Sequence, residues 1–302
     1  MDTVMTITAY GKNSEKAVTL AKKEVENLDK LLSVQNKDSE IYKLNHSKSQ
    51  NLSADTLAII KKATDIARLS DGAFDITTEP LTRAWGFYSD TENKIPEKAE
   101  INTLLKSVGT EHIKISNTTV TLDKATSIDL GGIAKGYTAS KVSDIMGENN
   151  ISSAIISLGG NVTAVGKKPD GTLWNVSIAD PDDSSKQIGT LSVTDCSVVT
   201  SGGYQRYFEQ GGVLYHHIID PKTGEPSNSG LKSVTIASTD DTLADALSTA
   251  IFVMGIKKAT ALYKNNTALF DMVLVTDKGE IYITNGLENC FSSQRNYEVI
   301  KP

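Results

Sequence analysis

The chain of 302 residues has no long apolar run, few histidines and only two cysteines. No stretch approaches the roughly 20 consecutive apolar residues of a transmembrane helix, so no membrane span is predicted. Cys196 and Cys290 lie far apart without metal-type spacing, which favours two isolated small hydrophobic residues over a disulfide or a metal site. The basic residues form no stripe in a chain of net charge −6, which argues against nucleic acid as a partner.

Helical and strand-like patterns are unevenly distributed in a composition that is ordinary for a globular protein. Helical spacing predicts helices at 14–32, 242–254 and 257–263, whereas the polar segment 33–51 is predicted to be mainly loop. Strand-like runs dominate the second half without alternating regularly with helices, which favours an α+β fold. Without a repeat or a proline-rich linker, we expect a single domain over residues 1–302, its helices packed on a mixed or antiparallel sheet.

Residues 127–137 have the sequence S-I-D-L-G-G-I-A-K-G-Y, which predicts the end of a strand, a glycine turn and the start of a helix. Gly131 and Gly132 lack a Cβ, so backbone groups at this turn can approach a ligand closely. Asp129 and Lys135 add opposite charges at its two ends. The same pattern also fits a plain strand-to-helix connection with two solvated charges.

Glycine turns also follow other strand-like runs. The four turns are Gly131-Gly132, Gly159-Gly160, Gly202-Gly203 and Gly224. Together they indicate a cleft lined by backbone groups, which suits a nucleotide or a diphosphate. A β-rich fold also needs glycine turns for its own geometry, so the pattern alone leaves both interpretations open.

Asp245 and Thr249 are four residues apart in a predicted helix, which places a carboxylate and a hydroxyl on one face. Both are oxygen donors suited to Mg²⁺, which also binds phosphates and retains water ligands. The alternative is that the aspartate complements the helix dipole near the first turn while the threonine packs inward.

His217 lies in a strand-like run just before Ile218-Ile219-Asp220-Pro221. A histidine of near-neutral pKa can take a proton from a hydroxyl nucleophile. In a strand, the neighbouring His216 would face the opposite side. A hydrogen-bonded structural histidine is the alternative.

A set of motifs in fixed order makes a family resemblance specific. The motifs are M-D-T, G-A-F-D-I-T, A-W-G-F, D-L-G-G-I-A-K-G-Y, S-L-G-G-N, T-S-G-G-Y, H-I-I-D-P-K-T-G-E-P and A-D-A-L-S-T-A-I-F-V-M-G. In this order they resemble the ApbE family of FAD:protein FMN transferases, from Met1 to about Gly255.

The resemblance implies a Mg²⁺-dependent transfer of FMN from FAD to a threonine or serine hydroxyl of a target protein, with release of AMP. Typical targets in the family are flavoproteins of extracytoplasmic electron transfer. Some relatives instead hydrolyse FAD to FMN and AMP. The alternatives for this chain are therefore an FAD pyrophosphatase and a non-catalytic FAD-binding protein.

The resemblance also implies roles for individual residues. The metal ligands would be Asp245, the hydroxyl of Thr249 and the backbone carbonyl of Gly132, and the general base would be His217. The flavin-binding positions would be Met1, Gln35, Ala73, Phe74, Asp75, Asp129, Lys135 and Ile219. Many relatives carry an aromatic residue at the position of Gln35, so stacking on the isoalloxazine ring can come from elsewhere in this chain.

The cellular location is an expectation from the resemblance. Met1 is followed at once by a strand-like alternating segment, which fits removal of a signal segment and a lipid tether. We therefore expect an extracytoplasmic protein that is lipid-anchored at the cell membrane. A cytoplasmic location is the alternative.

Overall fold

Seven α-helices occur in residues 3–302, the part of the chain that the computed structural model describes. They are α1 (Ser14–Leu32), α2 (Glu40–Ser47), α3 (Ala54–Leu69), α4 (Glu79–Ala84), α5 (Lys98–Leu104), α6 (Ala134–Glu148) and α7 (Asp241–Lys264). Helix α3 shows how the sequence specifies such an element. The Ser53 hydroxyl accepts a hydrogen bond from the Thr56 amide, and Ile59, Ile60 and Ala63 then form its buried face. No helix within residues 3–302 is long and apolar enough to cross a membrane.

The strands within residues 3–302 form one large and three small sheets. They are β1 (Met5–Tyr10), β2 (Ser49–Asn51), β3 (Ile113–Ser116), β4 (Thr119–Leu122), β5 (Ser153–Leu158), β6 (Asn161–Gly166), β7 (Trp174–Asp180), β8 (Asp183–Val193), β9 (Cys196–Gly202), β10 (Tyr207–Gln210), β11 (Val213–His216), β12 (Leu231–Ser238), β13 (Asp271–Thr276), β14 (Ile281–Thr284), β15 (Phe291–Ser292) and β16 (Glu298–Ile300).

The large sheet has the order β1-β5-β6-β9-β12-β13-β14-β16. Its neighbouring strands are antiparallel except for the parallel pair β14 and β16. The small sheets have the orders β15-β8-β7, β2-β4-β3 and β10-β11. The prediction of an α+β fold with a mixed sheet and a β-rich second half is therefore confirmed.

Strand β13 shows how the large sheet separates two apolar cores. Met272 and Leu274 pack into the cluster that contains α3 and α7, whereas Val273 and Val275 pack into the cluster formed with β7 and β8. Successive side chains of a strand point to opposite faces, so a strand buried on both sides must be apolar at every position. Helix α7 therefore lies on one face of the sheet and the β15-β8-β7 sheet on the other.

Helix α7 is interrupted at Gly255, where φ is 71° and ψ is 168°. A Cβ at this position would lie 2.7 Å from the carbonyl oxygen of Ser229, so both the left-handed φ and the close packing require glycine. The predicted break between two helices is thus present at this residue. The helical hydrogen-bonding pattern nevertheless continues on either side of the break as one element.

The prediction that residues 33–51 are mainly loop is wrong. Ser39 caps α2 by accepting a hydrogen bond from the Tyr42 amide, and β2 pairs with β4. Both elements are short and polar, so neither produces a clear periodic pattern. Their stability comes from contacts with distant segments.

The strand predicted before the glycine turn at 131–132 is also absent. Instead, the Asn45 side chain forms both backbone hydrogen bonds of Ile128, at 2.8 Å to its carbonyl oxygen and 2.8 Å to its amide. Neither Gly131 nor Gly132 has a positive φ. Left-handed backbone geometry therefore does not explain these glycines.

Helices α6 and α7 come unusually close at Gly136. A Cβ there would lie 2.3 Å from the Asp241 carbonyl oxygen and 2.7 Å from the Asp245 Cβ. Glycine is therefore required by the contact between the two helices, and the motif K-G-Y has a packing function.

Replacing Gly136 with alanine should lower the free energy of unfolding by about 1–3 kcal/mol, since the new methyl group overpacks this contact. Gly147→Ala is the matched control in the same helix, because its Cβ would meet no atom within 4 Å. The control should raise the free energy of unfolding by about 0.5–1 kcal/mol through helix propensity. Urea unfolding followed by circular dichroism measures both, and equal stability of the two variants would contradict the close approach.

Candidate functional site

Ten of the twelve predicted site residues line a single cavity of about 290 Å³. They are Ala73, Phe74, Asp75, Asp129, Gly132, Lys135, His217, Ile219, Asp245 and Thr249. Gln35 is not among the lining residues, and its amide nitrogen instead donates to Ser89 and Asp90. Met1 lies outside the described residues.

A second cavity, of about 700 Å³, is lined in part by strand β11. It is lined by His216, Phe252 and polar residues of the segment 225–232, and by none of the predicted site residues. The His216 Nε2 lies 3.0 Å from the Ser227 carbonyl oxygen, and its ring packs edge-on against Phe252. Although this cavity is larger, the candidate chemistry lies in the smaller one.

The Asp245 carboxylate is buried at the base of the smaller cavity, with the residue 3% exposed. Its Oδ1 accepts hydrogen bonds from Lys135 Nζ at 3.2 Å and Asn161 Nδ2 at 2.8 Å. Its Oδ2 accepts one from the Gly136 amide at 2.8 Å. The carboxylate is therefore held by α6, by β6 and by its own helix α7.

Gly136 is the third residue of α6, so its amide is one of the donors at the start of a helix that have no partner within the helix. Asp245 accepts this amide, while the Tyr137 amide bonds the carbonyl of the N-cap residue Ile133, at 3.0 Å. Gly132 precedes this N-cap residue, so its carbonyl lies outside the helical ladder. A Cβ on Gly132 would lie 3.7 Å from Thr249 Oγ1 and 3.1 Å from the Phe74 ring, so this glycine is closely surrounded by site residues.

Three oxygen donors of the smaller cavity fit Mg²⁺. They are the Asp245 carboxylate, the Thr249 hydroxyl and the Gly132 carbonyl. Residues 3–302 contain no group of three or more His, Cys, Asp or Glu side chains that could hold a metal ion. A cation bound here would thus have one anionic protein ligand, which is typical of Mg²⁺ sites completed by water and phosphate oxygens.

The geometry of His217 defines its tautomer. Its Nδ1 lies 3.1 Å from the Arg206 carbonyl oxygen, and because a carbonyl can only accept, Nδ1 carries the proton in the neutral ring. The other nitrogen, Nε2, then has a free lone pair. Burial lowers the pKa of His217 to about 4, and the positive charges of Arg206 and Lys135 act in the same direction. The ring is therefore neutral at pH 7, although it is a weaker base than an ordinary histidine.

Asp129 is held by two neighbours rather than solvated. Its Oδ2 accepts a hydrogen bond from the Tyr88 hydroxyl at 2.6 Å, and its Oδ1 accepts one from the Gly131 amide at 2.8 Å. Burial, together with the charge of Asp129, raises the pKa of Tyr88 well above its usual value, so the phenol remains a donor. The guanidinium of Arg83 lies 4.7 Å from the centroid of the Tyr88 ring.

One oxygen of the Asp75 carboxylate already accepts hydrogen bonds from a neighbouring residue. Its Oδ1 accepts hydrogen bonds from the amide and hydroxyl of Thr77, at 2.8 and 2.6 Å, and so caps the 3₁₀ turn Ile76–Thr78. Burial raises the pKa of this carboxyl group. Nearby, Phe74, Phe87 and Tyr88 line the cavity and provide aromatic surface that Gln35 does not.

Sequence reasoning missed several lining residues. They are Thr78, Thr82, Phe87, Tyr88, Asn161, Thr200, Ser201, Gln205 and Arg206. A signal existed for four of them, because Phe87 ends the motif A-W-G-F, Asn161 ends S-L-G-G-N, and Thr200 and Ser201 begin T-S-G-G-Y. Arg206 is the second residue after this last motif. The contact between Tyr88 and Asp129 had no local signal.

Comparisons with known proteins agree on one family. A model described as the ApbE family matches residues 1–273. A FAD:protein FMN transferase of Vibrio cholerae is 33% identical over 261 residues, covering 84% of this chain and 78% of the relative. One from Klebsiella pneumoniae is 32% identical over 286 residues, covering 91% and 87%.

Solved structures show the same similarity. An ApbE protein from Thermotoga maritima has a TM-score of 0.87 and 31% identity, covering 96% of this chain and 94% of that one. The flavin transferase ApbE from Vibrio cholerae has a TM-score of 0.86 and 30% identity, covering 96% of each chain.

The environment of His217 predicts a ring that stays neutral in the free protein far below pH 6.5. A long-range ¹H–¹⁵N NMR titration, assigned with His217→Gln, should place its midpoint near the lowered pKa of about 4, with the proton of the neutral ring on Nδ1. Because the unfolded chain takes up this proton at higher pH, His217 should lower stability as pH falls from about 6.5 towards 4. A midpoint at or above 6.5 would contradict the buried environment.

Proposed function

The chain belongs to the ApbE family, and we propose that it is a transferase that moves FMN from FAD to a threonine or serine hydroxyl of a target flavoprotein. The observation that carries the proposal is the meeting of ten motif positions in one cavity. These positions come from distant parts of the chain, yet they combine a neutral histidine, a set of oxygen donors and an apolar wall. The names of the relatives support the same activity.

The proposed reaction exchanges the phosphoanhydride bond of FAD for a phosphoester bond to the acceptor. The hydroxyl oxygen of the acceptor forms a bond to the FMN phosphorus, while the bond from that phosphorus to the bridging oxygen of AMP breaks. AMP leaves with the electron pair of the broken bond. The hydroxyl proton passes to Nε2 of His217, which is unprotonated because Nδ1 donates to the Arg206 carbonyl.

Asp245, the Thr249 hydroxyl and the Gly132 carbonyl would hold Mg²⁺. When bound, this ion supplies neutralisation of the charge on a diphosphate and on the leaving phosphate. The protein contributes the fixed orientation of Asp245 through Gly136 and Asn161. Positioning and charge neutralisation thus carry more of the catalysis than covalent chemistry by the enzyme.

The flavin would lie against the wall formed by Ala73, Phe74 and Ile219, which are all buried and line the cavity. Asp129 would present its carboxylate from the position fixed by Tyr88. This arrangement assigns ring stacking to the aromatic lining residues Phe74, Phe87 and Tyr88 and leaves Gln35 outside the direct contacts.

The target and the location follow from the family resemblance. We propose an extracytoplasmic electron-transfer flavoprotein as the target, and a lipid-anchored position of this protein at the cell membrane. Labelling of intact cells with a membrane-impermeant reagent tests the location, and exclusive labelling after lysis would favour the cytoplasm.

Incubation of the protein with FAD, Mg²⁺ and candidate acceptor proteins tests the proposed function. Transfer gives a fluorescent acceptor band on a denaturing gel and an FMN-sized mass increase. Soluble FMN and AMP without a labelled acceptor would instead indicate an FAD pyrophosphatase. Bound FAD without release of AMP would indicate a non-catalytic binding protein.

Two variants test the site. His217→Gln should lower the transfer rate by about 10²–10⁴-fold because it removes the proton acceptor. Asp245→Asn should lower the transfer rate by about 100-fold or more, because the substitution removes the one anionic ligand proposed for Mg²⁺. His46→Gln and Asp182→Asn are matched controls at exposed positions outside the smaller cavity. Full activity of either site variant at saturating FAD and Mg²⁺ would remove that residue from the mechanism.

A further inference from the structure

Two cationic side chains line the smaller cavity, and only one of them has a carboxylate partner among the described residues. Lys135 and Arg206 are the only lysine and arginine among its described lining residues. The Lys135 ammonium is 3.2 Å from Asp245 and shares the charge of that carboxylate. Arg206 is exposed, and no carboxylate among residues 3–302 forms an ion pair with it. Arg206 is therefore the cation of this cavity that is not neutralised by the protein.

We propose that Arg206 is a catalytic residue whose guanidinium binds the diphosphate of FAD and stabilises the charge that develops as AMP leaves. This inference rests on the proposed function and adds a residue to it. A guanidinium is suited to the role because its donors match two phosphate oxygens at once. An exposed, unpaired arginine can also turn towards an anion without first breaking an ion pair.

The location of Arg206 supports this assignment. It immediately precedes β10, and His217 immediately follows β11, so the hairpin brings the two residues together. The Arg206 carbonyl accepts hydrogen bonds from both the backbone amide and the Nδ1 of His217, each at 3.1 Å. The side chain of Arg206 therefore starts next to the imidazole ring of His217, which would receive the proton of the acceptor hydroxyl.

The backbone and the side chain of Arg206 can be tested separately. Any substitution retains the carbonyl that holds His217, so the tautomer of the ring is preserved. Replacing the guanidinium removes its positive charge and its hydrogen-bond donors but leaves the backbone carbonyl in place. The proposed step is otherwise unchanged, with the acceptor oxygen bound to the FMN phosphorus, its proton on His217 and the electron pair of the broken bond on AMP.

The first measurement is equilibrium binding, which needs no acceptor protein. Flavin fluorescence titrations should show that Arg206→Gln weakens the binding of FAD by about tenfold or more. Binding of riboflavin, which lacks the diphosphate, should stay within twofold of the wild-type value. Arg68→Gln is the matched control, since Arg68 is exposed on α3 and lines neither cavity. Equal affinity of wild-type protein and Arg206→Gln for FAD would overturn the contact with the diphosphate.

The second measurement is turnover of FAD, as transfer or as hydrolysis. Arg206→Gln should lower kcat by about 100-fold at saturating FAD, because charge stabilisation in the transition state is lost. Arg206→Lys should recover part of kcat, since it keeps the charge without the planar fork. Loss of the positive charge should also move the acidic limb of the pH profile upward, towards the ordinary pKa of histidine. An unchanged kcat and an unchanged pH profile would overturn the catalytic role.

The outcomes separate this inference from the proposed function. If wild-type protein transfers FMN while Arg206→Gln matches it in FAD binding and in kcat, the function stands and the role of Arg206 is wrong. If wild-type protein shows no turnover with any acceptor or with water, the proposed function fails. The comparison of FAD with riboflavin then still decides whether Arg206 binds the diphosphate.

Discussion

The buried Asp245 carboxylate is the interaction on which the site depends. Three donors from two elements, α6 and β6, converge on it: the Lys135 ammonium, the Gly136 amide and the Asn161 side chain. Hydrogen bonds to a charged group contribute about 1.5–3 kcal/mol each, and a buried carboxylate without them would be strongly destabilising. The same contacts that make the burial of this charge tolerable also fix its orientation. On the proposed function, stability and activity are therefore coupled at this residue.

The bond from Gly136 to Asp245 also satisfies a backbone donor. The Gly136 amide lies in the first turn of α6, where it has no partner within the helix. The bond needs α6 to lie directly against α7, and a side chain at position 136 would collide with the Asp241 carbonyl. The glycine thus allows the two helices to approach, and this approach lets Asp245 accept the Gly136 amide.

Local patterns predicted the long elements of the fold but not the contacts that join them. Helix α1 and the break at Gly255 follow from clear helical signals. Helix α2 was missed because its cap and its packing partners dominate over a weak apolar pattern. The extended segment at Ile128 is held by the side chain of Asn45, and no periodicity encodes such a contact.

The site was predictable mainly from motif order. Spacing alone placed Asp245 and Thr249 on one helix face, but it gave no link to Gly132 or His217, which are far away in the chain. The family resemblance supplied that link, and the structure brings the four residues to one cavity. Tyr88 and Arg206 remained unassigned because their importance comes from contacts formed only in the folded protein.

The electrostatics of the hairpin explain why one of two adjacent histidines suits proton transfer. His216 ends strand β11 with its ring against Phe252 in the larger cavity, whereas His217 faces the smaller cavity beside Lys135 and Arg206. Burial and these positive charges keep the His217 ring neutral, so its Nε2 is available before the substrate arrives. An anionic diphosphate would offset the same positive charges and raise the pKa of His217. On the proposed function, binding of FAD would therefore make this histidine a stronger base at the moment when the acceptor hydroxyl must lose its proton.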